Sequence, residues 1–363
     1  MKKALIAMSG GVDSSLAAKL MMEQGYDCIG CTMKLYQNED IGIERSRTCC
    51  SLDDVEDARS VAYKLGMPFY VFNFTDAFRR TVIRKFIDSY EKGITPNPCI
   101  DCNRYMKFDK LYERAKILGC DYIVTGHYAR IEEHNGKFLL KKALDETKDQ
   151  SYVLYSMTQE QLAHTMFPLG NKRKTEVRQI AEKAGFINAD KPDSQDICFV
   201  PNGDYAGVIE RQTGYKSLPG NFVDKQGNVR GKHKGVIHYT IGQRKGLGIS
   251  SSEPLYVCAI CPQSGDIVLG SHDDLFGTET DAADFNWISG AVPQGPFRCK
   301  AKIRYRQPEQ WATVTPTGEN TVHIVFDTPQ RAITPGQAAV LYDGDTVLGG
   351  GTIQAGDNPY SLA

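Results

Sequence analysis

The stretch Ala7-Met8-Ser9-Gly10-Gly11-Val12-Asp13-Ser14-Ser15 constrains this chain more than any other. It follows an apolar run, Ala4 to Met8, and leads into a helical pattern that starts near Ser14. A buried strand, a glycine turn and a helix start together make a place for an anion. Glycine takes positive φ and lets the backbone come close to a ligand. Consecutive N–H groups form a concave nest, and the helix N-terminus adds about half a positive charge. Ser9 and Ser14 add hydroxyl donors. A plain strand-to-helix turn with a serine cap would use the same two glycines. The GxxxxGK[ST] and GxGxxG spacings are both absent, so this is neither a Walker loop nor a dinucleotide fingerprint.

The rest of the first half repeats the strand-then-helix pattern. Cys28 to Met33, Phe69 to Phe74 and Asp121 to Thr125 read as strands. Helical stripes follow Leu16, Ala17, Leu20 and Met21, then Val55, Ala58, Ala62 and Leu65 with a capping box from Ser51 to Asp54. Phe78, Val82, Phe86 and Tyr90 mark another helix, and Phe108, Leu111, Tyr112, Ala115 and Leu118 the next. Gly136 turns a hairpin, and Thr175 to Ala184 is one further helix. The fold class is therefore α/β, a doubly wound parallel sheet, with ligands at the carboxyl ends of its strands. Ser9, Met33 and Gly126-His127 sit at such ends. A chain of 363 residues is too long for one core. The pattern changes near residue 201, giving a catalytic domain over 1–200, a small central domain over 201–275 and a β-barrel over 276–363. In the last, Val322, Ile324 and Phe326 alternate as a half-buried strand should.

Net charge is −1, so contact with a polyanion has to come from a local basic surface. The clearest is Arg298 to Arg306. Read as one strand, it places Arg298, Lys300, Lys302, Arg304 and Arg306 on one face, and Cys299, Ala301, Ile303 and Tyr305 on the other. Lys232, His233, Lys234, Arg244 and Lys245 add positive charge in the central domain. Together these point to a nucleic acid held across domains. No apolar run approaches a membrane span of about 20 residues, and no secretory signal precedes the first strand, so no membrane is expected and cytoplasm is the expected location.

Eleven cysteines in a chain this long do not suggest a disulfide framework. Pro96-Asn97-Pro98-Cys99-Ile100-Asp101-Cys102-Asn103-Arg104 is the densest site after the glycine loop. Cys102 is expected just before a helix N-terminus, where the dipole and Arg104 would favour the thiolate. Cys198 lies in a loop with Asp193, Ser194 and Asp196. Cys258 and Cys261 have metal-ligand spacing but sit in an expected strand and read as structural. Cys49-Cys50 precedes a helix in a charged loop.

The string SGGVDSS resembles the pyrophosphate loop of the ATP pyrophosphatase superfamily. The larger set is similar to one family within it, the tRNA-specific 2-thiouridylases. It comprises the loop, Thr95-Pro96-Asn97-Pro98 with Cys102-Asn103, Thr125-Gly126-His127-Tyr128, Lys148-Asp149-Gln150-Ser151, Ile197-Cys198-Phe199 and Arg304-Tyr305-Arg306, and the likeness runs from Met1 to about Gly356. The resemblance implies an adenine nucleotide alpha hydrolase-like fold, with ATP held along Ala7, Met8, Ser9, Gly10, Gly11, Val12, Asp13 and Ser14 and by Met33 and Gly126. It implies adenylation of the 2-oxygen of the wobble uridine of tRNA, with magnesium accompanying ATP and Asp13 helping to place it. Cys198 would carry a persulfide from a sulfur-relay protein or cysteine desulfurase, and Cys102 would resolve it through a Cys102–Cys198 disulfide. Asn97, Pro98 and Cys99 would lie at the extruded base. His127, Lys148, Asp149, Gln150, Arg304, Tyr305 and Gln337 would contact tRNA. One departure stands out: some members carry aspartate where this chain has Cys99. If an acid–base group is needed, Cys99 would have to replace it, or Asp101 or a water would serve. Cys99, Cys102 and Cys198 could alternatively hold an iron–sulfur cluster. Another adenylating synthetase of the superfamily would leave the thiols and the basic strand unexplained. A non-enzymatic RNA-binding module would leave the loop idle.

Overall fold

The structure, a computed structural model, describes residues 1–37, 52–192 and 197–355. Cys49, Cys50 and Ser51, with its capping box, lie outside these, as do Asp193, Ser194 and Asp196. Strands β1 (Lys3–Ala7), β2 (Asp27–Lys34), β3 (Phe69–Asn73) and β4 (Tyr122–Val124) are followed by a hairpin, β5 (Ala129–His134) and β6 (Lys137–Lys142), and by β7 (Thr165–Met166). The first sheet is wholly parallel, in the order β3-β2-β1-β4-β7. Strand order reverses at β1, so the crevice between the ends of β1 and β4 is the ligand position of such a sheet.

Successive strand residues face opposite sides, and the two sides carry separate cores. Ala4, Ile6, Cys28 and Val124 pack with α1 (Val12–Glu23), α2 (Leu52–Leu65) and a later helix carrying Ala181. Leu5, Cys31 and Ile123 pack on the other side against two long helices. The first of these, α3, runs through Thr75–Phe78, a π-helical turn Arg79–Ile83 and Arg84–Glu91. The second, α4, runs through Pro98–Asp101, a π-helical stretch Cys102–Lys110 and Leu111–Ile117. Then come α5 (Gln159–Ala163), α6 (Lys174–Lys183) and α7 (Tyr205–Thr213). The sheet is doubly wound, as the alternating pattern requires.

The central region builds a four-stranded sheet in the order β10-β11-β8-β9 from β8 (Gly220–Val223), β9 (Val229–His233), β10 (Tyr256–Cys261) and β11 (Asp266–Gly270). Cys258 and Cys261 lie in β10, where their spacing is that of a strand. The last part is antiparallel: β12 (Phe276–Trp287), β13 (Phe297–Lys302), β14 (Gln310–Gly318), β15 (Thr321–Arg331), β16 (Ala338–Asp343) and β17 (Thr346–Ile353). Pairing of β12 with both β15 and β17 closes these six strands into a barrel. Val322, Ile324 and Phe326 point into it and are buried.

The hairpin β5–β6 does not join the first sheet. It extends the barrel's sheet through β6 and β17, where Lys141 pairs with Thr346. A third core binds the two domains there, with Ile100, Phe108, Tyr152 and Leu154 from one side and Ala338, Val340 and Tyr342 from the other. Each fully buried side chain of this size contributes about 1.5–3 kcal/mol, enough to hold the barrel firmly against α4.

Candidate active site

The glycine loop occupies the crevice between β1 and β4. Gly10 adopts φ +76°, and a Cβ there would lie 2.4 Å from the Asp54 carbonyl oxygen of α2. Only glycine fits this close approach. Gly11 precedes α1, whose first N–H groups point at the loop's concave side. The Ser14 hydroxyl donates to the Gly11 carbonyl at 3.0 Å and accepts from the Ser9 N–H at 3.2 Å, so it serves the loop's own shape. Met8, under the loop, bonds to Cys31 and Thr32 of β2. Gly126, after β4, abuts the loop: a Cβ would come within 2.8 Å of the Asp13 carbonyl carbon and the Ser14 nitrogen. Ala7 to Ser14 and Gly126 are thus one surface, and Met33 ends the neighbouring strand.

Three side chains to which the sequence reading gave no role complete this surface. Lys174, opening α6, places Nζ 2.8 and 2.7 Å from the two oxygens of Asp13. The Tyr128 hydroxyl donates to Asp13 at 2.8 Å. Asn188 Nδ2 donates to the Gly10 carbonyl and to Ser15 Oγ, both at 2.9 Å. Asp13 is therefore held by Lys174 and Tyr128. These partners lie 115 to 178 residues away along the chain, which is why sequence reasoning missed them.

The thiol site is built on α4. Asn97 caps the helix by accepting from the Cys99 N–H at 3.2 Å, and Pro98 takes the first turn, where its missing N–H costs nothing. Cys102 therefore lies inside the helix, one turn later than expected. Two further corrections follow. Burial pushes the Cys102 thiol up; the charge of Lys107 works against this and that of Asp101 adds to it. Arg104, expected to help, is turned away into a two-pronged ion pair with Asp284 of the barrel. Asp101 is also turned aside, 2.6 Å from Lys85, with burial raising its carboxyl. Cys99 is exposed.

Cys198 reaches the same core as Cys102. Phe199 is inserted edge-on against Phe78 and Phe86 of α3, with ring centroids 5.6 and 5.2 Å apart. Tyr36, just past β2, donates to the Cys198 carbonyl at 2.8 Å. Both thiols thus border one core at the carboxyl end of the sheet that carries the glycine loop, and no disulfide joins them. Among the described residues no three of His, Cys, Asp and Glu come together as metal ligands would. Cys99, Cys102 and Cys198 do not form such a group.

The expected RNA-contacting residues fall along the seam between domains. Gln337 Nε2 donates to the Thr95 carbonyl at 2.9 Å, and the Thr95 N–H donates to the Pro335 carbonyl at 3.0 Å. Tyr305, 38% exposed, donates through its hydroxyl to the Asp149 carbonyl at 3.2 Å. Asp149 and Gln150 accept from backbone N–H groups of Ala143 and Tyr128, shaping the segment that carries Lys148. His127 is only 7% exposed, between the rings of Phe108 and Phe167.

The basic stripe differs most from expectation. Strand β13 ends at Lys302, so Arg304 and Arg306 are not on its face. Cys299 and Ala301 do point inward. Arg298 is paired with Asp327, and Lys300 with Glu309. Lys302 lies over the rings of Tyr152 and Tyr305, with burial lowering its ammonium. Arg304 donates to the carbonyls of Ile241 and Ala332, joining the central domain to the barrel. Asp327 and Glu309 pair two of the five cations, and sequence alternation cannot show such partners. His233 likewise is buried, bonded to Gly265 and Gly235, and adds no surface charge.

Three family profiles cover the chain in order. Residues 2–202 match the one described as tRNA methyl transferase HUP domain, 208–271 the tRNA methyl transferase PRC-barrel domain, and 278–353 the aminomethyltransferase beta-barrel domain. A protein of Clostridioides difficile named tRNA-specific 2-thiouridylase MnmA is 53% identical over 355 residues, 97% of this chain and 98% of its own length. The chain belongs to the tRNA-specific 2-thiouridylase family. A relative of the same name from Acetivibrio thermocellus is 51% identical over 359 residues, 97% of this chain and 99% of its own. A looser likeness, at 20% identity and a TM-score of 0.37, links 55% of this chain to 46% of a 4-thiouridine synthetase crystallised with RNA and ATP, and adds nothing to the assignment. No helix among the described residues is long and apolar enough to cross a membrane.

Proposed function

We propose that this protein replaces the 2-oxygen of the wobble uridine of tRNA by sulfur, using ATP. The observation that carries the reading is the placement of Cys102 and Cys198 on one core, at the end of the sheet that holds the glycine loop. The uridine 2-oxygen attacks the α-phosphate of ATP over Ala7 to Ser14, pyrophosphate leaves, and uracil N3 loses its proton. The outer sulfur of a Cys198 persulfide then adds to C2, the C2–O bond breaks and AMP departs. Cys102 attacks the Cys198 sulfur, the S–S bond to the transferred sulfur breaks, and N3 regains a proton. A Cys102–Cys198 disulfide remains, and an external dithiol reduces it. The persulfide comes from a sulfur-relay protein or a cysteine desulfurase. Magnesium accompanies the phosphates of ATP. Asn97, Pro98 and Cys99, at the start of α4, receive the extruded base, and the seam residues Lys148, Tyr305 and Gln337 follow the tRNA across domains. Cytoplasm, where tRNA is, is the proposed location.

Adenylation turns a poor leaving oxygen into a good one, and a persulfide is a strong nucleophile near neutral pH. The test is thiolation of unmodified tRNA with ATP and a persulfide donor. We expect sulfur transfer by the native protein and none by Cys102→Ser or Cys198→Ser. Full transfer by Cys198→Ser would remove that residue as the carrier. Release of AMP with a small acceptor and without tRNA would favour a synthetase instead.

A further inference from the structure

The mechanism leaves one cation near Cys102 without a role. Lys107 is half-buried, and no carboxylate is paired with it among the described residues. Its Nζ lies 3.3 Å from His127 Nε2. An ammonium is donor only, so Nε2 must accept and the imidazole proton resides on Nδ1, which faces Thr125 Oγ1 at 2.7 Å. Burial and the Lys107 charge hold the imidazole neutral, its pKa well below the ordinary value. Two of the three Lys107 protons are left to point elsewhere.

The helix geometry says where. Residues five apart in a regular α-helix lie about 140° apart around the axis. The stretch Cys102–Lys110 is π-helical, and hydrogen bonds from i to i+5 bring residues five apart onto one face. Cys102 and Lys107 therefore share a face, and the charge of Lys107 is felt at Cys102. π-Helical turns inside α-helices are often found at functional sites. The other charged group felt at Cys102 is Asp101, whose carboxylate is matched by Lys85.

We propose that Lys107 is the cation that receives the charge of Cys102 when its thiol ionises to attack the Cys198 persulfide, and that the neutral His127 aims it. The inference rests on the sulfur-transfer reading for its place in turnover, but the Lys107–Cys102 coupling itself does not. Lys107 is a positioning residue in this scheme, acting through Cys102.

The test uses the full chain carrying Cys198→Ser and follows alkylation of Cys102 by iodoacetamide against pH, peptide by peptide. With Lys107→Met, alkylation at pH 7.5 should fall about tenfold and the half-point of the profile should rise by about one pH. Lys107→Arg should retain the original profile. Cys99, exposed on the same helix, should not change in either. If Lys107→Met fails to fold, His127→Leu carries the test: the ammonium stays but loses its acceptor, and alkylation should fall about threefold. An unmoved Cys102 profile overturns the proposal, and so does a Cys99 profile that moves with it. In single turnover with native Cys198, Lys107→Met should shift the pH dependence of thiouridine release upward. An unshifted dependence would remove Lys107 from the transfer step. If the native protein fails to thiolate tRNA, the functional reading falls while the alkylation result still decides the coupling.

Discussion

The glycine loop and the thiol helix stand at the same end of one sheet, yet they are held in different ways. The loop is fixed from within its own domain. Gly10 lies against α2, Gly126 against Asp13 and Ser14, and Lys174, Tyr128 and Asn188 latch it from behind. The thiol helix is fixed in part from outside. Gln337 and Pro335 grip the segment before it, Asp284 holds Arg104, and Phe199 anchors the second thiol against α3. The difference suggests a division of labour. Activation of a uridine needs a rigid anion cradle. In the proposed reaction sulfur transfer calls for two thiols, and the barrel holds the segment and helix that carry one of them.

Separate damage to each region should separate the two halves of the reaction. The largest effect is expected from Phe199→Ala. Removing an aromatic ring buried between two others costs about 3–5 kcal/mol, seen as a lowered thermal midpoint. Cys198 would lose its anchor, and sulfur transfer should fall further than pyrophosphate release. Gly10→Ala should do the reverse. Strain at positive φ costs about 1–3 kcal/mol, and the clash with the Asp54 backbone displaces the loop, so tRNA-dependent pyrophosphate release should fall at least about a hundredfold. Equal loss of both half-reactions in both variants would erase the comparison. Lys174→Met should destabilise by about 2 kcal/mol, because Asp13 is left without its cation in a half-buried position. Gln337→Ala is the mildest of the four, about 1 kcal/mol for one partly exposed hydrogen bond. It should weaken thiolation several-fold while the melting temperature scarcely moves.

A pH series sharpens the same contrast at the point where the halves meet. His127 has a folded-state pKa held below its unfolded value near 6.5 by burial and Lys107. The unfolded chain then binds the proton in the window below 6.5, so this contribution to stability is complete above pH 6.5 and is lost as pH falls. His127→Gln should flatten the acid side of a plot of thermal midpoint against pH. An unchanged acid side would place the titrating group elsewhere.

The comparison also explains what the sequence could reveal. The glycine turn after β1 and the doubly wound class depend on residues close together in the chain and on periodicity, so they could be read from it, whereas the strand order joins β1 to β4 more than 100 residues on. Helix and strand limits came within a few residues because Gly25, Gly66 and Gly119 stop helices where their positive φ dictates. The environment of Cys102 could not be read. Its helix begins at Pro98, its π-helical register exchanges Arg104 for Lys107 as the neighbouring cation, and Asp284 comes from a strand of another domain. The five-cation stripe failed for a related reason: alternation shows which face a residue takes, but not that Asp327 and Glu309 wait on that face. The hairpin at Gly136 was legible, but its membership of the barrel's sheet depended on β17, over 200 residues away.

The most direct test is a pyrophosphate burst on the Cys102→Ser, Cys198→Ser double variant, mixed with ATP and unmodified tRNA. The account predicts about one equivalent of pyrophosphate per active site, dependent on tRNA, with no sulfur incorporated even when a persulfide donor is present. Absence of the burst would show that activation needs the thiols, and sulfur in the tRNA would show that transfer does not; either result would contradict the account.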